Sequence, residues 1–289
     1  MAHKIVTGAV ENHREREKGV LVYPVYSRRS GGLSVGINLF PDKKICPFNC
    51  PYCEIFPFST DAVFSLEQME EDLRTVVAFA LKQNIPVKDI CFSGNGESSL
   101  SPDFSGALEK AASVRDETVP DAELVLISNG AGLSDEKIFS MLRNAVFSYG
   151  LNIWLKLDAG TPGWYQKMNR SEIPYDKLVN KIKEFAACTP VTIQTMLCAA
   201  DGKGPSPEEN QAWEKQVLEL VEAVRKNCGN IRKVQIYGKA RSSPEDPKTT
   251  PLPDRFLEER AASLRGALAL IFGLDAASGV IPPPVEIYP

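Results

Sequence analysis

The chain has 289 residues, 43% of them hydrophobic and 24% charged, which suits one large globular domain or two small ones and argues against a disordered or fibrous protein. Its formal net charge is −4, from 33 basic and 37 acidic residues, so the strongly basic footprint of a general nucleic-acid binder is absent overall. No apolar run is long enough to span a bilayer, the polar start "MAHKIVTGAVENHREREKG" does not read as a signal peptide, and seven irregularly spaced cysteines argue against a secreted disulfide framework. The expected location is the cytoplasm, where thiols stay reduced.

In chain order, the first predicted strand is "LSVGINLF" (33–40), followed directly by the loop "KKICPFNCPYCEI". A helix is expected over 65–83, where Leu66, Met69, Leu73, Val76, Val77 and Ala80 recur at helical spacing and Ser65 with Gln68 makes a capping-box start. Strands follow at 87–94, 122–130 and 151–160, the last two each leading into a helix, at 135–146 and 174–187. The strand 191–198 precedes a helix over 206–227, with Ser206 as cap, Pro207 in the first turn and Glu209 closing the box. A sixth strand at 231–238 is followed by the proline-rich "SSPEDPKTTPLPD" and a helix near 254–272.

Short, near-continuous apolar strands alternating with amphipathic helices imply a parallel sheet covered by helices. Order alone leaves an open doubly wound sheet and a partial barrel both standing. In either, chemistry gathers at the carboxyl ends of the strands. Those ends carry the cysteines, then Gly94-Asn95-Gly96-Glu97-Ser98, Ser128-Asn129-Gly130, Lys156 and Asp158, Gln194, and Tyr237-Gly238-Lys239. Each has an ordinary reading: Asn129-Gly130 is a turn signal, Lys156 and Asp158 suit an ion pair, and Cys91, Cys188, Cys198 and Cys228 suit small buried hydrophobes.

The triplet Cys46, Cys50 and Cys53 resists that treatment. Three thiolates in one loop repel one another unless a cation offsets them, which points to a shared metal centre. A structural zinc site wants a fourth ligand, yet no second CxxC exists, and the two histidines, His3 and His13, sit in the polar N-terminal stretch. A four-iron cluster with three protein ligands instead leaves one iron open for an outside ligand.

The CxxxCxxC spacing directly after a first strand, with Tyr52 before the last cysteine, together with "SGNGES" after the second strand, resembles the radical S-adenosylmethionine (radical SAM) enzymes. The resemblance extends over roughly residues 24 to 240 and implies a partial (β/α)6 barrel of the TIM type. It implies that Cys46, Cys50 and Cys53 hold a 4Fe–4S cluster whose fourth iron is chelated by the amino and carboxylate groups of S-adenosylmethionine (AdoMet). It further implies that Tyr52 lies near the adenine and that Gly94, Asn95, Gly96, Glu97 and Ser98 meet the ammonium group. By position, Ser128, Asn129, Lys156, Asp158 and Gln194 are then expected at the carboxylate and ribose. An electron donor such as flavodoxin or ferredoxin is implied too, and the reaction is cleavage of AdoMet to a 5′-deoxyadenosyl radical that abstracts hydrogen from a polar substrate.

"PVYSRRSGGLSVGINLFP", "SGNGESSLSP" and "KLDAGTPGWYQKMNR" look more narrowly like the group containing wyosine-type tRNA-modifying synthases, whereas the upstream cysteines of those synthases are missing here. Substrate-side candidates are Arg28, Arg29, Arg170, Lys239 and Arg241; an activase acting on a partner protein is the other reading. One domain is expected, with a core over 34–243 and extensions at 1–33 and 244–289 that serve as lids.

Overall fold

A computed structural model of the chain describes residues 19–55, 57–226, 229–245, 247–273 and 281–289. His3, His13 and Cys228 lie outside the described residues, as does most of the expected N-terminal extension. The described chain forms two compact units, one holding the described residues up to Pro47 with Glu54–Ser128 and Asp135–Ile153, the other Phe48–Cys53, Asn129–Ser134 and Trp154–Pro289.

The first unit begins with a hairpin that the sequence reading did not anticipate: β1 (Val22–Ser27) runs antiparallel to β2 (Gly32–Ile37). Pro24 masked it, because a proline inside a strand costs a ladder hydrogen bond; β1 is an edge strand, where that loss is tolerated. Opposite Tyr23 stands Gly36, whose missing side chain leaves room for the ring: an added Cβ would lie 2.3 Å from it. From there β2 pairs in parallel with β3 (Val87–Phe92), and β3 with β4 (Glu123–Ser128).

Three helices belong to this unit: α1 (Leu66–Lys82), α2 (Phe104–Thr118) and α3 (Glu136–Tyr149). The Ser65 hydroxyl accepts the Gln68 N–H at 3.3 Å, capping α1, and Met69, Leu73, Val76, Val77 and Ala80 form its buried stripe. Such a cap contributes about 1 kcal/mol. The stripe of α2, Phe104, Ala107, Leu108, Ala111 and Ala112, has the same spacing, but three of these five are alanines, which weakens its apolar signal in the sequence.

The strand β5 (Asn152–Lys156) starts at the end of the first unit's segment and finishes in the second. The second unit continues with α4 (Pro162–Met168), α5 (Tyr175–Cys188), β6 (Val191–Ala200), α6 (Pro207–Lys226), β7 (Ile231–Gly238), β8 (Thr249–Pro251), α7 (Asp254–Gly273) and β9 (Val285–Tyr288). The expected box opens α6: Glu209 N–H donates to the Ser206 hydroxyl at 3.2 Å, and Ser206 N–H to the Glu209 carboxylate at 2.8 Å. All ten residues of β6 are buried, as a parallel strand covered on both faces requires.

Within the stretch expected as a C-terminal lid, two strands join the sheet. Parallel to β7 lies β9, and β8 pairs antiparallel with β6. Hydrogen-bonded neighbours follow the order β1-β2-β3-β4-β5-β6-β7-β9. A doubly wound sheet reverses its strand order at a switch point; this one does not, so of the two architectures left open it is the partial (β/α) barrel. No described helix is long and apolar enough to cross a membrane.

Candidate active site

In the first unit the cysteine loop is fastened to the glycine-rich stretch by main chain. Ile45 N–H donates to the Asn95 carbonyl at 3.2 Å, and Glu97 N–H donates to the Ile45 carbonyl at 2.8 Å. Ile45 and Gly96 thus form a parallel bridge one residue before Cys46. The approach is so close that a Cβ on Gly96 would sit 2.0 Å from the Ile45 carbonyl oxygen. Asn38, buried at the end of β2, adds a second fastening: its Oδ1 accepts the Asn95 N–H at 3.1 Å and its Nδ2 donates to the Val20 carbonyl at 3.0 Å. The Asn95 side chain in turn donates to the Phe40 carbonyl at 3.0 Å.

Glu97 is 2% exposed, and its Oε1 accepts the hydroxyls of Ser99 (2.6 Å) and Ser128 (2.8 Å). The same oxygen accepts the Ser99 N–H at 3.4 Å, and a carboxylate is chemically suited to an ammonium partner. Ser98 is buried and opens a short 3₁₀ turn (Ser98–Leu100), with Gly94 close against Asn38. Arg28 and Arg29 lie elsewhere than expected. They sit on the turn between β1 and β2, at the end of β2 opposite the cysteine loop.

The second unit contributes a buried polar network around Cys50 and Tyr52. Asp158 is its hub: Oδ1 accepts the Met196 N–H at 2.9 Å, and Oδ2 accepts the Tyr52 hydroxyl and, at 2.8 Å, the Asn169 side-chain amide. Lys156 makes the anticipated ion pair with Asp158, at 3.4 Å, and also donates to the Tyr237 hydroxyl while lying 5.0 Å from the ring centres of both Tyr52 and Tyr237. Burial works against the Lys156 charge, but Asp158 and Tyr237 more than offset it and raise its pKa. Burial, reinforced by Asp158, pushes the Cys50 thiol up to about 11 and the Tyr52 phenol well above its usual value.

Of the other expected residues in this unit, Asn129 caps the following turn, its Oδ1 accepting the Ala131 N–H at 2.9 Å. Gln194 is fully buried and donates to the Gln235 side chain directly across the ladder. Arg170 Nη1 donates to both Glu245 carboxylate oxygens, at 2.8 and 2.7 Å, and Lys239 is buried with its ammonium on the Thr249 carbonyl at 2.8 Å. Arg241 is half-buried just beyond β7. The Thr249 hydroxyl donates to the Pro51 carbonyl at 3.3 Å, so the proline-rich segment holds the loop between Cys50 and Cys53.

None of the three loop cysteines is in a disulfide, and all three are of intermediate exposure. Cys91 and Cys198 are buried as expected, whereas Cys188 is only partly so, because it ends α5 where the helix reaches the surface. Among the described residues no three His, Cys, Asp or Glu side chains gather as the ligands of a single metal ion. A four-iron cluster makes a different demand: each thiolate binds its own iron, so the sulfurs need not converge on one point. Three thiols in one loop, none of them in a disulfide, fit that demand. Cys50 needs a cation to become a thiolate here, and an iron cluster is such a cation source.

The fold that carries these residues is that of the radical SAM enzymes. The chain is similar to a radical SAM methyltransferase from Sphaerobacter thermophilus, with a TM-score of 0.58 and 12% identity over 89% of this chain and 66% of that one. It is also similar to anSMEcpe, solved with bound AdoMet, with a TM-score of 0.51 and 14% identity over 86% of this chain and 62% of that one. No protein-family model matches. Two curated relatives, the UPF0026 proteins of Helicobacter pylori strains J99 and 26695, are each 29% identical over 167 residues, covering 56% of this chain and 48% of theirs. The chain thus spans about half the length of the curated relatives it matches.

Proposed function

We propose that the protein is a radical SAM enzyme that binds a 4Fe–4S cluster through Cys46, Cys50 and Cys53 and cleaves AdoMet reductively to generate a radical that abstracts hydrogen from a polar substrate. The observation that carries this reading is the pairing of CxxxCxxC with "SGNGES" at adjacent strand ends, zipped together through Ile45 and Gly96, in a fold shared with radical SAM enzymes. When bound, the cluster supplies the electron that breaks the AdoMet sulfonium bond, an electron that flavodoxin or ferredoxin would deliver.

The chain's own groups do the rest. Buried Glu97 offers a carboxylate to the AdoMet ammonium, with Gly94, Asn95, Gly96 and Ser98 setting its approach. Lys156, kept protonated by Asp158 and Tyr237, offers a cation suited to a carboxylate or hydroxyl of the same ligand, beside the Tyr52 ring. Asn129, Ser128 and Gln194 are the further contacts proposed by position. The wyosine-type and activase readings differ in substrate. Four of the five cations set aside for an anionic substrate are either occupied within the fold or remote from the cysteine loop, which favours a substrate less charged than RNA.

The test is anaerobic reconstitution. About four irons and four sulfides per chain are expected, lost when Cys46, Cys50 and Cys53 are all changed to Ala, with slow release of 5′-deoxyadenosine from AdoMet under dithionite. Cluster uptake by the triple variant would overturn the assignment.

A further inference from the structure

We propose that Asn169 is a positioning residue that donates a side-chain N–H to the sulfur of Cys50, and so sets how readily a cluster held by that cysteine accepts an electron. The inference rests on the reading that the cysteine loop holds such a cluster.

Asn169 is 2% exposed and touches two successive residues of the loop. Its carbonyl accepts the Asn49 N–H at 3.1 Å and the Cys50 thiol at 3.8 Å. Its Nδ2 lies 2.8 Å from Asp158 Oδ2, 3.7 Å from Cys50 Sγ and 3.4 Å from the Tyr52 hydroxyl. An amide nitrogen carries two hydrogens that diverge. One serves the Asp158 carboxylate, and the other is within reach of both the Tyr52 hydroxyl and the Cys50 sulfur. Once Cys50 ligates iron it loses its hydrogen and can no longer donate to the carbonyl, so the amide N–H becomes the polar link between Asn169 and the sulfur.

The donor is fixed from both sides. Asn169 N–H donates to the Tyr165 carbonyl at 2.8 Å, closing α4, whose start is capped by the Thr161 hydroxyl accepting the Trp164 N–H at 3.1 Å. The next residue, Arg170, has φ +44°, a left-handed conformation that side chains other than glycine enter at a cost. The contact of its Nη1 with both oxygens of Glu245, which Lys248 also pairs at 3.2 Å, holds it there.

A buried carboxylate beside Cys50 makes adding an electron nearby harder. The Asn169 amide opposes this twice, once by donating to Asp158 and once by donating to the sulfur. A hydrogen bond to a cluster sulfur favours the reduced, more negative state. Removing it should therefore lower the cluster's reduction potential.

The experiment uses the full chain labelled with asparagine carrying 15N in its side-chain amide only, reconstituted anaerobically, reduced with dithionite and read by pulsed electron paramagnetic resonance. A 15N coupling to the reduced cluster is expected in the unaltered protein and is lost in Asn169→Leu. In Asn169→Leu the reduced-to-oxidised ratio at a fixed solution potential should fall roughly threefold to tenfold, the loss expected for one hydrogen bond. Tenfold is 59 mV for a one-electron couple. Asn169→Asp keeps the shape and the main-chain contacts but replaces the donor with an anion, and should lower the ratio further. The proposal is overturned if no asparagine 15N couples to the cluster, or if both variants load iron normally and keep the unaltered potential. Should Asn169→Leu fail to fold, the coupling in the unaltered chain decides alone. If the unaltered chain takes up no iron, the cluster reading itself fails and this proposal falls with it; iron analysis separates that case before any potential is measured.

Discussion

Replacing Gly96 with alanine tests whether the cysteine loop is fastened to the glycine-rich stretch as described. The added Cβ would lie 2.0 Å from the Ile45 carbonyl oxygen, 2.7 Å from its carbon and 3.0 Å from the Ile45 nitrogen. All three are main-chain atoms, so no side chain can swing away and the two segments must part. Parting them breaks the Ile45–Asn95 and Glu97–Ile45 hydrogen bonds, each contributing about 0.5–1.5 kcal/mol net. Residual crowding adds about 1–3 kcal/mol, for a total of about 2–6 kcal/mol. The control is Gly266→Ala on the exposed side of α7, where nothing lies within 4 Å and alanine should stabilise the helix by about 0.5–1 kcal/mol. The assay is urea unfolding of the cluster-free protein by far-ultraviolet circular dichroism. Trp154, Trp164 and Trp213 all belong to the second unit, so tryptophan fluorescence would miss the first. Iron uptake should fall in parallel, since Cys46 follows Ile45 directly. If Gly96→Ala unfolds within about 0.5 kcal/mol of the unaltered protein and loads iron normally, the fastening is not a constraint and Gly96 is only a turn residue.

Much of the barrel was legible because its strands announce themselves. Runs such as "AELVLISNG" and "VTIQTMLC" are apolar on both faces, and the structure puts β4 within the first and extends β6 two residues past the second. What escaped had weaker local signals or non-local causes. Pro24 disguised β1, alanines make up much of the buried stripe of α2, and β9 pairs with the edge that β7 offers it. The site divides in the same way. Cysteine spacing and the glycine–glutamate stretch are local patterns and could be read directly. Asn38 and Asn169 have no such pattern, since their importance lies in contacts with residues 57 and 119 positions away. The "KMNR" stretch drew attention to its arginine, a cation, although Arg170 is spent on Glu245 and the neighbouring asparagine is the residue that reaches Cys50. Charge is visible in a sequence; whether that charge is already neutralised is not.

Glu97→Ala should weaken AdoMet binding to the reconstituted protein roughly tenfold to a hundredfold, the loss of a charge-assisted contact of about 1.5–3 kcal/mol; unchanged equilibrium binding would reduce "SGNGES" to a turn. On α1, Lys110 and then Arg74 hold the Glu70 carboxyl below its usual 4.5, so its stabilising effect is complete above that value and is lost as pH falls through the lower, folded-state value. Glu70→Gln should accordingly cost under about 1 kcal/mol at pH 7, for pairs this exposed, and nothing near pH 2; a gap that persists in acid would refute the assignment. Bulk tRNA, finally, should bind weakly and with little salt dependence. Phosphate neutralisation needs cations both clustered and available, and each phosphate contact adds about 0.7–0.9 to the slope of log affinity against log salt. Arg170 is engaged with Glu245, Lys239 is buried against Thr249, and Arg28 and Arg29 lie at the far end of β2 from the cysteine loop. The cations named therefore offer few phosphate contacts, and a slope no steeper than about −1 to −2 is expected in a filter-binding titration. Micromolar affinity with a steep slope would show that these cations rearrange to meet RNA and would promote the tRNA-modifying reading over the one proposed.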